Sequence, residues 1–325
     1  VPLPDGARST LRVHLPAAAD APRPALLLVH GLWVGPEVYE GTAQHLASRG
    51  YAVAMFDQWG RSSTDLPGWV GAGALALDAL HAATARDGPL EGALDLSKIG
   101  VLGHSFGGMT ALGLAATDAR VGAAVALAPG ATQREALLRY AATMRDVPVL
   151  VIAAELDDVS LPATFCRPAY HAIPHARKLY VEIAGANHLN FSDVSLPFGA
   201  RIKGAQQRTI ARRYANAWFD RFLLGDADAG GFTTGAFAAA DDQLSLVSIP
   251  APSEEVAGGA RTGTVTAAEL NVRAGPGTDH AALATLQAGA RVTIVAERDG
   301  WVRVTFPGAP QGELWVRATY VREGP

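Results

Sequence analysis

Six short apolar runs recur along the first two thirds of the chain: ALLLVH at 25–30, YAVAMFD at 51–57, IGVLGH at 99–104, VGAAVALAP at 121–129, VPVLVIAA at 147–154 and KLYVEIAG at 178–185. Each is continuous rather than alternating, and each is bounded by turn residues. A strand that is apolar at every position is covered on both faces, which is the condition of a strand inside a parallel sheet. Helix-length amphipathic stretches lie between the runs, at about 37–49, 72–86, 106–117, 132–143 and 162–173. A longer one, KGAQQRTIARRYANAWFDRFL at 203–223, closes the series. Regular alternation of the two patterns predicts a doubly wound, mostly parallel α/β sheet. TLRVHLP at 10–16 adds an antiparallel edge strand.

After Gly225 the texture changes. GDADAGGFTTGAFAAADDQ and PAPSEEVAGGARTG are small, polar or rich in Pro and Gly, and read as a closing segment followed by a linker. From Thr264 onward the runs are short and alternating, turn signals return every ten residues or so, and no helix-length element remains. That pattern predicts a small all-β barrel. The expected organisation is therefore an α/β domain over 1–225, a closing segment and linker over 226–261, and a β domain over 262–325. A chain of 325 residues is long enough for both.

Composition narrows the class. Hydrophobic residues make up 49% and charged residues 18%, an ordinary globular balance. A net charge of −4 offers no electrostatic footprint for nucleic acid. The longest apolar runs, such as PALLLVHGLWV, fall short of a bilayer's thickness, so no membrane span is expected. Cys166 is the sole cysteine, which excludes an internal disulfide and is neutral on compartment. The sequence opens on Val1, which fits a removed leader or a trimmed chain.

One of the apolar runs leads straight into VLGHSFGGMTAL, residues 101–112, where Ser105 lies between glycines. G-x-S-x-G alone is a weak pattern. Here a strand-like run precedes it and good helix formers follow, so the serine falls on a strand-to-helix turn. Gly103 and Gly107 suit a turn in which backbone meets backbone. Ser105 then stands at the head of a helix whose first N–H groups are free, and the N–H of Phe106 is placed to bind an oxyanion. A second donor belongs on a loop after an earlier strand; His30-Gly31 ends such a run, and the N–H of Leu32 is the candidate ahead of Trp33. His30 itself reads as a polar residue satisfied at a strand end.

A nucleophilic serine needs a base, and the base an orienting acid. Asp157 follows VPVLVIAAEL and His188 follows KLYVEIAGAN, each on the loop leaving a strand. Asp158 is a rival for the acid's role, and whichever of the two does not orient the imidazole is free to cap the helix near 162 or meet solvent. His171 and His175, in or beside a helix, read as solvated or capping residues. No Cys/His cluster has zinc spacing, and the chemistry requires neither metal nor cofactor. Between Pro129 and Val147 there is room for one short helix but not for a multi-helix lid. The cleft is therefore expected to be open, lined by Leu32, Trp33, Trp59 and Phe106. Trp33 and Trp59 are the candidate substrate contacts, with buried structural roles an equal alternative for them and for Trp69.

From about residue 8 to 224 the chain resembles the α/β-hydrolase family, on the G-H-S-F-G-G elbow, the H-G loop, FDQWGRSS, E-L-D-D-V and G-A-N-H. Within it, GHSFGGMTA and the compact C-terminal half are most similar to dienelactone hydrolases, cutinases and polyester hydrolases. Dienelactone hydrolases carry cysteine where this chain has Ser105. Polyester-degrading cutinases usually place tryptophan where Gly130 follows Pro129, and they commonly have a C-terminal disulfide. The resemblance implies a triad of Ser105, Asp157 and His188, and a carboxylic ester hydrolase acting on lipid or polyester substrates, poly(ethylene terephthalate)-type polymers among them. The alternatives are a serine peptidase or amidase with the same triad, and an inactive hydrolase-fold protein that binds cell wall.

Residues 262–323 resemble the bacterial SH3-like domain, on LNVRAGPG and on GELWVRATYV, where the family commonly reads G-W-V-x-x-x-Y-L. The resemblance implies a secreted or cell-envelope protein whose small domain binds cell-wall peptide or another surface. Trp301, Trp315 and Tyr320 either form its ligand groove or belong to its core.

Overall fold

Continuous apolar runs become the inner strands of one sheet. In the computed structural model, strands β1 (Leu11–His14), β2 (Arg23–Val29), β3 (Ala52–Phe56), β4 (Leu94–His104), β5 (Val121–Leu127), β6 (Val149–Ala154), β7 (Lys178–Ile183) and β8 (Leu244–Ser248) form an eight-stranded sheet in the order β1-β3-β2-β4-β5-β6-β7-β8. The structure describes all residues except 2, 4, 5, 7, 18–21, 59–61, 176, 195–198, 234, 249–260, 277–279, 281, 299, 300, 310–312 and 325. Strands β2 to β7 are mutually parallel, while β1 pairs antiparallel with β3 and β8 antiparallel with β7. The chain divides into two compact units, Val1–Pro250 and Ala251–Pro325.

Both faces of the sheet are covered, and the alternation of side chains along β2 shows how. Ala25, Leu27 and Val29 enter one core, together with residues of α2 (Leu66–Thr84), α3 (Phe106–Thr117), α4 (Arg134–Ala142) and α5 (Cys166–Ala172). Leu26 and Leu28 enter the other, with α1 (Glu40–Ser48) and α6 (Gly204–Phe219). Fully burying one such leucine stabilises the fold by roughly 1.5–3 kcal/mol, which is why these strands carry no polar face.

Three elements differ from their expected limits, each for a local reason. Helix α2 begins at Leu66 rather than near 72, because Pro67 falls in its first turn, where a missing N–H is harmless. The early glycines weaken its apolar signal, yet they let it pack closely: a Cβ on Gly73 would lie 2.8 Å from the Leu114 side chain. Helix α5 begins at Cys166 rather than near 162. That start keeps Pro168 inside the first turn; an earlier one would put it in the helix interior and break it. Strand β8 lies within the segment expected to close the domain and link onward. It is a half-buried edge strand of five residues, too short to show a period.

The second unit is a seven-stranded antiparallel sheet in the order β11-β10-β14-β13-β12-β9-β15. Its strands are β9 (Arg261–Val265), β10 (Glu269–Arg273), β11 (Ala282–Gln287), β12 (Arg291–Arg298), β13 (Trp301–Thr305), β14 (Trp315–Arg317) and β15 (Val321–Glu323). Val272, Val292, Ile294, Val302, Val304 and Val316 are at the centre of its core. Trp301 and Trp315 are buried and Tyr320 is exposed, so the three do not line one groove.

Candidate active site

Ser105 occupies the turn between β4 and α3 with φ 58° and ψ −122°. Such a conformation costs a non-glycine residue about 1–3 kcal/mol and persists only where the surroundings impose it. Here the backbone itself imposes it. A Cβ on Gly103 would lie 2.0 Å from the carbonyl oxygen of Gly107, and one on Gly107 would lie 2.3 Å from that of Val29. The Ser105 N–H donates to the Leu127 carbonyl at 2.9 Å, which fastens the turn to the end of β5.

Three buried side chains meet at this turn. Ser105 Oγ is 2.9 Å from His188 Nε2, and His188 Nδ1 is 2.7 Å from Asp157 Oδ2. A carboxylate oxygen accepts, so the imidazole proton sits on Nδ1 and Nε2 faces the serine hydroxyl as an acceptor. The second carboxylate oxygen of Asp157 accepts from the N–H groups of Val159 at 2.9 Å and Ser160 at 2.6 Å. Three donors therefore hold the carboxylate in one orientation. Asp158 is exposed. His171 is exposed and His175 half-buried, both away from the Ser105 turn in sequence and hydrogen bonding.

The loop carrying His188 is gripped from several sides. Gln207 of α6 is fully buried; its Oε1 accepts from the Asn187 N–H and its Nε2 donates to the Asn187 carbonyl, as a neighbouring strand would. Asn187 Oδ1 accepts the Asn190 N–H at 3.0 Å. Further along, Asp193 accepts from the Gly41 N–H and from Arg212. The imidazole position is thus a product of α6 and α1 as well as of β7. The Asn187–Asn190 turn is local; the contacts of Gln207, Gly41 and Arg212 have no sequence signature, because each joins residues 19 or more positions apart in the chain.

Gly31 packs against Ser105, since a Cβ there would lie 3.3 Å from the serine Cβ. Leu32 follows it on a turn and is buried; Trp33 comes next with φ 60° and 72% of its surface exposed. Phe106 heads α3, so its N–H has no partner one turn back within the helix. Its side chain does not line a cleft as expected: it is fully buried edge-on against Trp69, itself buried. Trp59 lies outside the described residues. His30 accepts the Gln58 N–H at Nε2 and donates from Nδ1 to the Gly31 carbonyl, a polar residue satisfied at a strand end.

Exposed apolar side chains gather on the loops of this edge. Val159 and Leu161 follow Asp157, and Leu189 and Val194 follow His188. Among the described residues, no group of His, Cys, Asp and Glu could hold a metal ion, and no helix is long and apolar enough to cross a membrane.

A serine on a strand-to-helix elbow, at the carboxyl edge of a doubly wound sheet, defines the α/β-hydrolase class of fold. The chain belongs to the PET hydrolase-like family, whose pattern matches residues 9–247. Residues 268–323 match the bacterial SH3 domain. The chain is similar to cutinase 1 of Thermobifida cellulosilytica, 31% identical over 134 residues, covering 41% of this chain and 44% of that protein. A cutinase of Thermobifida fusca is also 31% identical, over 41% of this chain and 38% of its own length. Bis(hydroxyethyl) terephthalate hydrolase of Streptomyces coelicolor is 28% identical over 195 residues, 60% of this chain and 53% of that protein. The chain thus spans less than half the length of the cutinases it matches.

Proposed function

We propose that the chain is a serine carboxylic ester hydrolase, and the unbroken Asp157–His188–Ser105 hydrogen-bond chain carries this reading. Ser105 Oγ attacks the ester carbonyl carbon as its proton passes to His188 Nε2. Asp157 holds the Nδ1 proton in place and supports the imidazolium that forms. The N–H groups of Phe106 and Leu32 receive the charge that develops on the carbonyl oxygen. Collapse of the tetrahedral intermediate expels the alcohol, which takes the proton from His188. Water, deprotonated by His188, then attacks the acyl-serine, and Ser105 is regenerated as the acid leaves.

Substrate class is read from the rim. Trp33, Val159, Leu161, Leu189 and Val194 present apolar surface on the loops that carry the triad, and a single short helix, α4, lies between β5 and β6. An open apolar rim suits bulky or chain-like esters. Aromatic polyesters and their soluble fragments fit it, in keeping with the names of the cutinase and terephthalate hydrolase relatives. The SH3 unit is assigned to holding the enzyme on a surface, and the pairing suits an enzyme that works outside the cytoplasm.

The test is turnover of p-nitrophenyl butyrate, bis(hydroxyethyl) terephthalate and a polyester film beside a chromogenic anilide, together with labelling by an organophosphonate. Ester cleavage is expected to exceed anilide cleavage, with one inhibitor added per chain. Ser105→Ala is expected to lose about six orders of magnitude in kcat and to resist labelling. Preferential anilide cleavage moves the chain to the amidases. No turnover and no labelling of the wild type leaves only a binding protein.

A further inference from the structure

Two buried residues that the reaction does not use lie between the two halves of the site. His104 immediately precedes Ser105 and is 4% exposed; Tyr39 is 1% exposed. His104 Nε2 is 3.0 Å from the backbone carbonyl of His188, and its Nδ1 is 2.8 Å from Tyr39 Oη. Tyr39 Oη in turn accepts the Gly31 N–H at 3.2 Å. Every direction in this chain is fixed. The His188 carbonyl can only accept, so His104 carries its proton on Nε2. Its Nδ1 is then an acceptor, and the Tyr39 hydroxyl must donate to it. The Gly31 N–H can only donate, so it fills the lone pair left on Tyr39 Oη.

The rings reinforce the connection. The imidazoles of His104 and His188 pack with centroids 4.7 Å apart, tilted by 43°, and His104 also packs on Phe191 at 5.5 Å. Burial, with the adjoining His188 adding to it, holds His104 well below the usual histidine range, so its neutral form persists. Gly31 is the residue before Leu32, and a Cβ on it would lie 3.3 Å from the Ser105 Cβ. One end of the chain therefore holds the loop that offers an oxyanion donor, and the other holds the backbone of the base.

We propose that Tyr39 and His104 are positioning residues that fix the spacing between the oxyanion loop and the base through one directional chain, Gly31 N–H to Tyr39 O–H to His104 N–H to His188 carbonyl. The proposal rests on the ester hydrolase reading for its kinetic consequence. Without the Tyr39 hydroxyl, His104 can adopt its other tautomer, which turns a lone pair toward the His188 carbonyl and repels it. Displacements of this kind, about 1 Å at the reacting groups, reduce kcat by up to about a hundredfold. Substrate affinity, which depends on the rim, is unaffected.

The experiment compares Tyr39→Phe, His104→Leu, the double variant and His104→Gln in the full chain. It measures kcat and KM on p-nitrophenyl butyrate, thermal stability, and the low-field proton resonance of His188 Nδ1–H. Each single variant is expected to lose about ten- to a hundredfold in kcat at constant KM. The double variant is expected to lose no more than the worse single, because residues of one chain are coupled. His104→Gln, which retains an N–H donor near the Nε2 position, is expected to recover part of the His104→Leu loss. The low-field resonance is expected to move upfield or broaden in Tyr39→Phe.

Lowered stability with unchanged kcat and an unmoved resonance overturns the proposal, and so do losses that multiply in the double variant. If His104→Leu does not yield folded protein, Tyr39→Phe against His104→Gln carries the same comparison. The resonance separates the two claims: a shift in Tyr39→Phe, when the wild type itself hydrolyses no ester, supports the hydrogen-bond chain and sinks the hydrolase reading. Normal turnover with an unmoved resonance in Tyr39→Phe does the reverse.

Discussion

The two units of this chain treat polar groups in opposite ways. In Val1–Pro250 the buried residues include His30, Gln58, His104, Ser105, Asp157, Asn187, His188 and Gln207; in Ala251–Pro325, tryptophan aside, no polar residue is buried among the described ones. The second unit is held by aliphatic side chains of a few small strands. A buried polar group without a partner costs about 1–3 kcal/mol, so each one in the first unit demands an exact donor or acceptor nearby. Apart from Gln58, which follows β3, and Gln207 of α6, which grips Asn187, the residues named lie at the carboxyl ends of β2, β4, β6 and β7. The difference teaches where to look for chemistry: the large unit accepts the burden of desolvated polar groups at one sheet edge, and the small one avoids it.

The sharpest way to break the contrast is at the acid. Asp157→Asn leaves the geometry but permits the wrong imidazole tautomer, and kcat on a soluble ester is expected to fall by up to about four orders of magnitude with little change in KM. Asp158→Asn, one residue away and exposed, is expected to leave kcat intact. Steady-state kinetics of the pair distinguishes them, and an inverted result would transfer the acid's role to Asp158.

Next in size is the response to a single methyl group. In the first unit a Cβ at Gly103 meets the Gly107 backbone at 2.0 Å, and backbone in an elbow cannot retreat. In the second, a Cβ at Gly263 meets side chains rather than backbone, Val321 Cγ1 at 2.5 Å and Ile294 Cδ1 at 3.1 Å, and Val321 lies on the three-residue strand β15. Gly103→Ala is expected to destabilise by more than about 4 kcal/mol or to prevent folding, whereas Gly263→Ala should cost about 1–3 kcal/mol. Urea unfolding of both variants measures the gap; equal losses would remove the distinction drawn between the two units.

A smaller effect is expected from separating the units. A chain ending at Pro250 keeps β8, whose register sets Val181 beside Val247, and it should retain kcat on a short soluble ester within a few-fold. One ending at Gly225 loses β8, the Ser245 hydrogen bond to Glu182 and the Ala184 N–H bond to Gln243, and should melt at lower temperature. Loss of turnover in the Pro250 form, still folded by circular dichroism, would mean that the small unit contributes to catalysis.

The smallest effect concerns pH. His104 is depressed in the folded state, first by burial and then by His188, whereas the unfolded chain binds a proton near 6.5. The unfolded state therefore holds more protons below that value. Stability linked to His104 is complete above about pH 6.5 and is lost as pH falls toward its folded pKa. Unfolding free energies at pH 7 and pH 5 should differ less in His104→Gln than in the wild type. An unchanged difference would assign the acid sensitivity to other groups, such as His45 and His175, which burial also lowers.

The order of strands and helices, the elbow at Ser105 and the loops bearing Asp157 and His188 were all legible in the chain itself. They are local: a run of apolar residues reports a strand covered on both faces, and G-x-S-x-G reports a turn with no room for side chains. Helix starts at Leu66 and Cys166 were less legible, because Pro67 and Pro168 break the apolar period at the positions where a first turn tolerates them. Strand β8 has no period of its own and exists because β7 offers an unpaired edge. The burial of Phe106 and Trp69, and the exposure of Trp33, follow from which way each loop turns after its strand. The chain from Gly31 through Tyr39 and His104 to His188, and the grip of Gln207 on Asn187, belong wholly to the tertiary structure. Hydrogen bonds between residues 8 to 84 positions apart leave no pattern in a sequence, and only the folded sheet edge brings their donors and acceptors within 3 Å or so of one another.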